Sequence, residues 1–142
     1  MVRGPVLSQT AEYALRAVLY LADRDGDEPA SVDEIAERLG VPRNYLSKIL
    51  HRLAQERILS STRGKGGGFR LARNPDRLTL LDVVGPIDGM SGERRCLLGR
   101  PQCSDRNPCP AHHQWREISN QVSEFFRDRT VGELVRGSRT GA

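Results

Sequence analysis

Residues 64 to 68 comprise four glycines and one lysine. Glycine adopts positive φ without steric cost and lets two backbones approach closely, so this composition is typical of a tight turn. Short stretches with strand-like side chains lie on both sides of the turn, at residues 58–61 and 69–71. The sequence therefore predicts a two-stranded β-hairpin whose turn covers residues 63–68.

Two short amphipathic helices are predicted immediately before this hairpin. Ser31 and Glu34 have the spacing of a capping box, and Gly40 is a residue that commonly ends a helix. Pro42 can start the next helix, whose apolar positions follow helical spacing at Leu46, Ile49, Leu50 and Leu53. Two helices with a glycine-containing turn form a helix-turn-helix motif, and the hairpin that follows has the position of a wing.

Further helices are predicted on both sides of this unit. The first covers residues 8 to about 23, a short one runs from Thr79 to Val84 and ends at Gly85-Pro86, and a long one covers residues 112 to about 128. The apolar stripe of the long helix predicts burial in the core and against a second copy of the chain: Trp115, Ile118, Val122, Phe125 and Phe126.

The expected fold class is mainly α with a small β-hairpin. We expect a winged helix-turn-helix DNA-binding domain at residues 1–84 and a cysteine-rich loop at residues 85–111. A long dimerisation helix and C-terminal tail would occupy residues 112–142.

Basic side chains are concentrated in and around the hairpin. Residues 42–77 contain nine basic and two acidic side chains, a balance of +7 in a chain whose formal net charge is only +4. A solvated surface explains such a count as readily as a polyanionic partner, but the helix-turn-helix pattern favours DNA. Asn44 and Tyr45 are candidates for reading base edges, with Gly66 and Gly67 allowing close backbone approach in the wing. The candidate phosphate contacts are Arg43, Lys48, Arg52, Arg63, Lys65 and Arg70.

All three cysteines lie close together in the sequence, next to a histidine, at Cys96, Cys103, Cys109 and His112. We expect a cytoplasmic protein without a membrane segment, because no apolar leader-like stretch opens the chain and no run of 18 apolar residues occurs. In that compartment metal binding or redox chemistry outranks structural disulfides. An iron–sulfur cluster uses four such ligands, zinc accepts the same set, and a cluster-free thiol switch is a third alternative.

Several runs of the sequence resemble the IscR/NsrR family of bacterial winged-helix transcription regulators. They are Tyr45-Leu46 with Leu53, ILSSTRGKGGGFRL at 58–71, LTLLDVV at 78–84, and Trp115 with TVGEL at 130–134. The resemblance implies a homodimeric regulator, expected to be a repressor, that binds promoter DNA and senses iron–sulfur status, redox state or nitric oxide.

The same resemblance implies a ligand set. Members of the IscR type hold a [2Fe–2S] cluster with three cysteines and a histidine three positions after the last cysteine, which corresponds to His112. The spacing from Cys96 to Cys103 is one residue longer here than in that pattern. Other members use a carboxylate from the first helix, which makes Glu12 a reserve ligand, and His113 is a second reserve.

Other functions remain as alternatives. A [4Fe–4S] cluster or zinc could occupy the ligands, and a cluster carrier that does not bind DNA would need the cysteines but not the basic hairpin. An enzyme is not expected, because the sequence has no nucleophile–base pair, no phosphate-binding loop and no evident pair of acid/base carboxylates.

Overall fold

The computed structural model describes residues 6–24, 28–89, 96–101 and 103–141, with side chains described as far as residue 138. Within these ranges it is mainly helical with one antiparallel hairpin, which confirms the predicted fold class. The elements are α1 (Gln9–Asp23), α2 (Val32–Leu39), α3 (Arg43–Gln55), β1 (Leu59–Thr62), β2 (Gly68–Leu71), a 3-10 helix (Pro75–Arg77), α4 (Leu80–Asp88), α5 (His112–Asp128) and α6 (Val131–Gly141). The predicted loop at 85–111 is only partly described, since residues 90–95 and 102 lie outside these ranges.

Local side-chain caps explain where three of the helices begin. Ser8 Oγ accepts a hydrogen bond from the backbone N–H of Ala11 at 3.1 Å, and Ser31 Oγ accepts one from Glu34 at 3.1 Å. Thr79 and Asp82 form a reciprocal capping box at the start of α4. Each cap satisfies N–H groups that the first helical turn leaves without a partner.

Helix α4 is longer than its sequence predicts. The predicted end at Gly85-Pro86 is wrong, because α4 continues through Pro86 to Asp88. Proline removes one backbone donor, but contacts from two other helices hold the last turn. Ser8 N–H donates to the Asp88 carboxylate at 3.0 Å, and Arg52 Nη2 donates to the Pro86 carbonyl at 3.0 Å.

An isolated β-bridge, which the sequence did not predict, pairs one further residue with the hairpin. Strands β1 and β2 pair in the register Leu59–Leu71 to Thr62–Gly68. On the other edge of β2, Ala30 and Phe69 exchange two backbone hydrogen bonds of 2.9 and 2.8 Å. Because Phe69 is also buried in the core, the base of the wing is fixed to the segment that precedes α2.

One hydrophobic core joins the helix-turn-helix to the C-terminal helices. Helix α6 packs against α1 and the 3-10 helix, and α5 packs against α4. Phe126, Val131 and Val135 bring the C-terminal helices into the core that also contains Leu46, Leu50 and Leu53 of α3. Among the described residues, no helix has the length and apolar character needed to cross a membrane.

Candidate metal centre and nucleic-acid surface

The loop before α5 brings the four predicted ligands together. The Sγ atoms of Cys96, Cys103 and Cys109 all lie within 4.8 Å of one another. Cys96 Sγ is 3.7 Å from Cys109 Sγ, and Cys103 Sγ is 3.2 Å from Nδ1 of His112. We call these four residues the ligand group.

Tight turns position the ligand group. The Cys96 carbonyl accepts a hydrogen bond from Gly99 N–H at 3.1 Å, and the Cys109 carbonyl accepts one from His112 N–H at 3.0 Å. The second turn places a thiol and an imidazole side by side where α5 begins. Cys109 is 5% exposed and His112 is 8% exposed, so this half of the group is shielded from water.

The chemistry of the donors suits a soft or borderline metal. Three thiols and one imidazole are the ligand types that iron–sulfur clusters and structural zinc both accept. The short distances within the ligand group mean that little rearrangement is needed to bring four donors onto one inorganic group. The residues present therefore fit either kind of centre.

Their different surroundings shift the pKa values of the Cys96 and Cys109 thiols in opposite directions. Desolvation opposes ionisation of Cys96, but hydrogen bonds from the backbone of Arg100 and Leu98 and from the neighbouring thiols outweigh it and lower the pKa of Cys96 to about 7. Burial raises the pKa of the Cys109 thiol, and the Cys103 thiol beside it acts in the same direction. Of these two thiols, Cys96 therefore ionises more readily.

A carboxylate that sequence reasoning missed also contacts the ligand group. Asp105 Oδ1 lies 2.8 Å from Nε2 of His112 and 2.7 Å from Nη1 of Arg116. The sequence contains one indication of a partner near His112, because Arg116 follows it by four residues and so lies on the same helix face. The contact between Asp105 and His112 crosses a turn, so no helix or strand periodicity predicts it.

The two reserve ligands lie in different places. His113 is exposed, and its ring packs edge-on against His112 with the centroids 5.2 Å apart. The side chains of Asp105, His112 and His113 are also close enough to form a second group of potential ligands. Glu12 is exposed on α1 and belongs to neither group among the residues that the structure describes.

The predicted DNA contacts fall into two sets. Arg43, Asn44 and Lys48 are exposed on α3, and Arg63, Lys65 and Arg70 are exposed on the hairpin. In the wing turn, a Cβ on Gly67 would lie 2.2 Å from the carbonyl oxygen of Thr62, so this position requires glycine. Gly66 has φ +80°, a backbone conformation that glycine adopts without strain.

Four of the predicted DNA contacts have partners within the chain. Arg43 pairs with Asp33, and Arg70 Nε donates to Ser60 Oγ at 3.4 Å. The Tyr45 hydroxyl is hydrogen-bonded to Thr10, and its ring packs edge-on against Tyr13. Arg52 bonds to the carbonyl of Pro86 and, at 3.4 Å, to Glu56. Tyr45 and Arg52 therefore have a structural role, and the contact of all four side chains with DNA stays a prediction.

A comparison with known proteins identifies the family. Residues 7–137 match the model of the Rrf2 family, described as an iron-dependent transcriptional regulator. The chain belongs to the Rrf2 family. A protein of Aquifex aeolicus (strain VF5) named as an HTH-type transcriptional regulator is 36% identical over 132 residues, which are 92% of this chain and 91% of that one. The HTH-type transcriptional regulator IscR of Sodalis glossinidius (strain morsitans) is 34% identical over 129 residues, 91% of this chain and 78% of IscR.

A solved structure shows the same fold. CymR, the global cysteine regulator of B. subtilis, superposes with a TM-score of 0.78 over 96% of this chain and 98% of CymR, at 23% identity. The family and fold confirm the predicted resemblance and the winged helix-turn-helix. This Rrf2-family chain is a DNA-binding transcriptional regulator and, as predicted, not an enzyme.

The difference between the two thiols predicts a pH-dependent order of alkylation in the metal-free protein. Because the thiolate is the nucleophile, Cys96 should reach half of its maximal rate with iodoacetamide near pH 7. Cys109 should stay slow until the solution is more alkaline, because its pKa is raised. Mass spectrometry of quenched samples measures both rates, and the urea-unfolded protein, in which the difference should vanish, is the control. Equal rates at pH 7 in the folded protein would contradict this order.

Proposed function

We propose that this regulator is a homodimeric repressor whose affinity for promoter DNA is controlled by a [2Fe–2S] cluster held by Cys96, Cys103, Cys109 and His112. The observation that carries the proposal is the convergence of three thiols within 4.8 Å, one of them 3.2 Å from the His112 imidazole. The iron-dependent character of the family and the relatives named IscR support it. A regulator acts where its DNA lies, so the cytoplasm is its proposed location.

The proposed mechanism couples the ligand group to the recognition helix α3 through α4. Cys96 follows the last residue of α4 by eight positions. The last turn of α4 is bonded to α3 through Arg52 and to α1 through Ser8. When bound, the cluster supplies a redox-sensitive crosslink among the four ligands. Holding or releasing Cys96 would act on the last turn of α4 and, through the hydrogen bond of Arg52 to Pro86, on the placement of α3.

The size of this effect is bounded by ordinary allosteric coupling. Coupling free energies of about 1–3 kcal/mol correspond to changes of roughly 5–150-fold in affinity. By reciprocity, DNA binding would change cluster retention by the same factor. Iron–sulfur status, redox state or nitric oxide would act as the signal, because each would change whether a thiolate-bound iron centre is present and intact.

The proposed dimer uses the outer face of α5. Phe126 and Ser119 on this helix are buried within the chain, whereas Ile118 is 53% exposed and Phe125 is 48% exposed. These two apolar side chains are seven residues apart and therefore lie on one helical stripe. A stripe of large exposed apolar groups is typical of an interface between copies.

The cluster proposal predicts a coloured protein. Anaerobically purified wild type should contain iron and sulfide and absorb visible light, and Cys103→Ala should abolish both because a thiolate ligand is removed. His113→Ala is the matched control and should keep the chromophore, whereas His112→Ala should change its spectrum. Metal analysis with absorption and Mössbauer spectroscopy makes the test. Stoichiometric zinc without iron would contradict the cluster proposal and support the zinc alternative. A metal-free protein would instead support the thiol switch.

The dimer proposal predicts that one charge on α5 separates the copies. Phe125→Asp should raise the dimer dissociation constant about 30-fold or more, since removing a buried aromatic anchor costs about 2 kcal/mol or more. Val6 is similarly exposed, at 50%, and Val6→Asp is the control. Sedimentation equilibrium gives both constants. A wild-type protein that is monomeric at micromolar concentration would overturn the proposal.

The wing assignment predicts a change in the salt dependence of DNA binding. Replacing both Arg63 and Lys65 by alanine should weaken promoter binding and flatten the dependence of log K on log salt by about 0.9 for each phosphate that is no longer neutralised. Arg127, which is exposed at the end of α5 and pairs with Asp128, provides the control substitution Arg127→Ala. Fluorescence anisotropy at several salt concentrations measures the slopes. An unchanged slope in the double variant would refute the wing assignment.

A further inference from the structure

The two nitrogens of His112 face different groups. Nδ1 lies 3.2 Å from Cys103 Sγ, inside the ligand group, and Nε2 lies 2.8 Å from Asp105 Oδ1, outside it. The imidazole side chain is only 9% exposed, so few positions of the ring are open to it. The ring thus bridges the thiols and a carboxylate.

The carboxylate decides which nitrogen carries the proton. An ionised carboxylate only accepts hydrogen bonds, so Nε2 is the N–H donor in neutral His112. The lone pair is then on Nδ1 and points toward Cys103. We propose that Asp105 is a positioning residue that fixes the tautomer and ring orientation of His112 for metal binding at Nδ1. This inference rests on the proposed role of His112 as a ligand.

The chain holds Asp105 from two sides. It lies in a turn in which Ser104 Oγ accepts hydrogen bonds from the backbone N–H groups of Arg106 and Asn107, at 3.3 and 3.2 Å. Arg116, one helical turn beyond His112, donates to the same oxygen that His112 contacts. The turn directly follows Cys103, so the carboxylate is placed close to one of the ligands in the chain.

A purely structural ion pair is the competing explanation, because Asp105 and Arg116 are both partly exposed, at 57% and 43%. The two roles respond differently to substitution. Asparagine keeps an oxygen that can accept from Nε2–H but loses the charge that pairs with Arg116. Arg116→Gln removes the ion pair and leaves the contact between Asp105 and His112 in place.

The test is a titration of the metal-free, full-length protein with Co²⁺ alone, followed by the thiolate-to-cobalt charge-transfer band. Removing the outer partner of a metal-bound histidine typically costs about 10–100-fold in metal affinity. Asp105→Ala should therefore bind Co²⁺ about 10–100-fold more weakly than the wild type. Asp105→Asn should keep most of the affinity, and Arg116→Gln and the distant control Asp128→Asn should behave like the wild type.

A second readout follows the ligand itself. In the cluster-loaded protein, the nitrogen coupling of His112 in pulsed EPR of the reduced state should persist in Asp105→Asn and weaken in Asp105→Ala. Asp105 is exposed in a surface turn, so neither substitution disturbs the core, and thermal melting of the metal-free forms verifies this.

Three results would overturn the inference. They are wild-type Co²⁺ affinity in Asp105→Ala, equal losses in Asp105→Asn and Arg116→Gln, and unchanged affinity in His112→Ala. A native protein without iron and sulfide would defeat the cluster proposal separately. In that case the graded Co²⁺ series would still support the role of Asp105 at a metal site of another kind.

Discussion

Close packing around α1 is the constraint on which the rest of the structure depends. Ala11, Ala14 and Ala17 are fully buried, and their small side chains let α1 lie against α2, α3, α4, α6 and the hairpin. Larger groups at these positions would push the helices apart, because protein interiors have little free volume. The DNA-reading half and the C-terminal half are therefore parts of one core, and neither can shift without affecting the other.

That shared core explains how a loop on one side of the chain could influence a surface on the other. Helix α4 contacts α1 and α5, and its last turn is bonded to α3 by Arg52. The ligand group begins shortly after α4 and ends in the first residue of α5. A change at the ligand group would therefore act on α4 and on α5 together. The sequence predicts that Arg52 contacts DNA, and its hydrogen bond to the Pro86 carbonyl also gives it a part in this internal connection.

The features that the sequence predicts best are those set by hydrogen bonds between residues close together in the chain. Ser8, Ser31 and Thr79 each cap a helix through atoms three residues away, so the starts of α1, α2 and α4 followed from local spacing. The end of α4 did not, because contacts from distant residues stabilise a turn that Pro86 would otherwise interrupt. The convergence of the four predicted ligands was foreseeable from their spacing and from the family resemblance. The pairing of Asp105 with His112 depends on how the loop folds back, which no period in the sequence records.

The arrangement of the ligand group also bears on its reactivity. Cys109 and His112 are shielded at the start of α5, whereas Cys96 is more accessible and has a pKa lowered to about 7. In the metal-free protein, a partly exposed thiol that ionises readily reacts with electrophiles and oxidants sooner than a buried thiol does. Such reagents would therefore modify Cys96 first, whereas Cys109 and His112 are shielded where α5 begins.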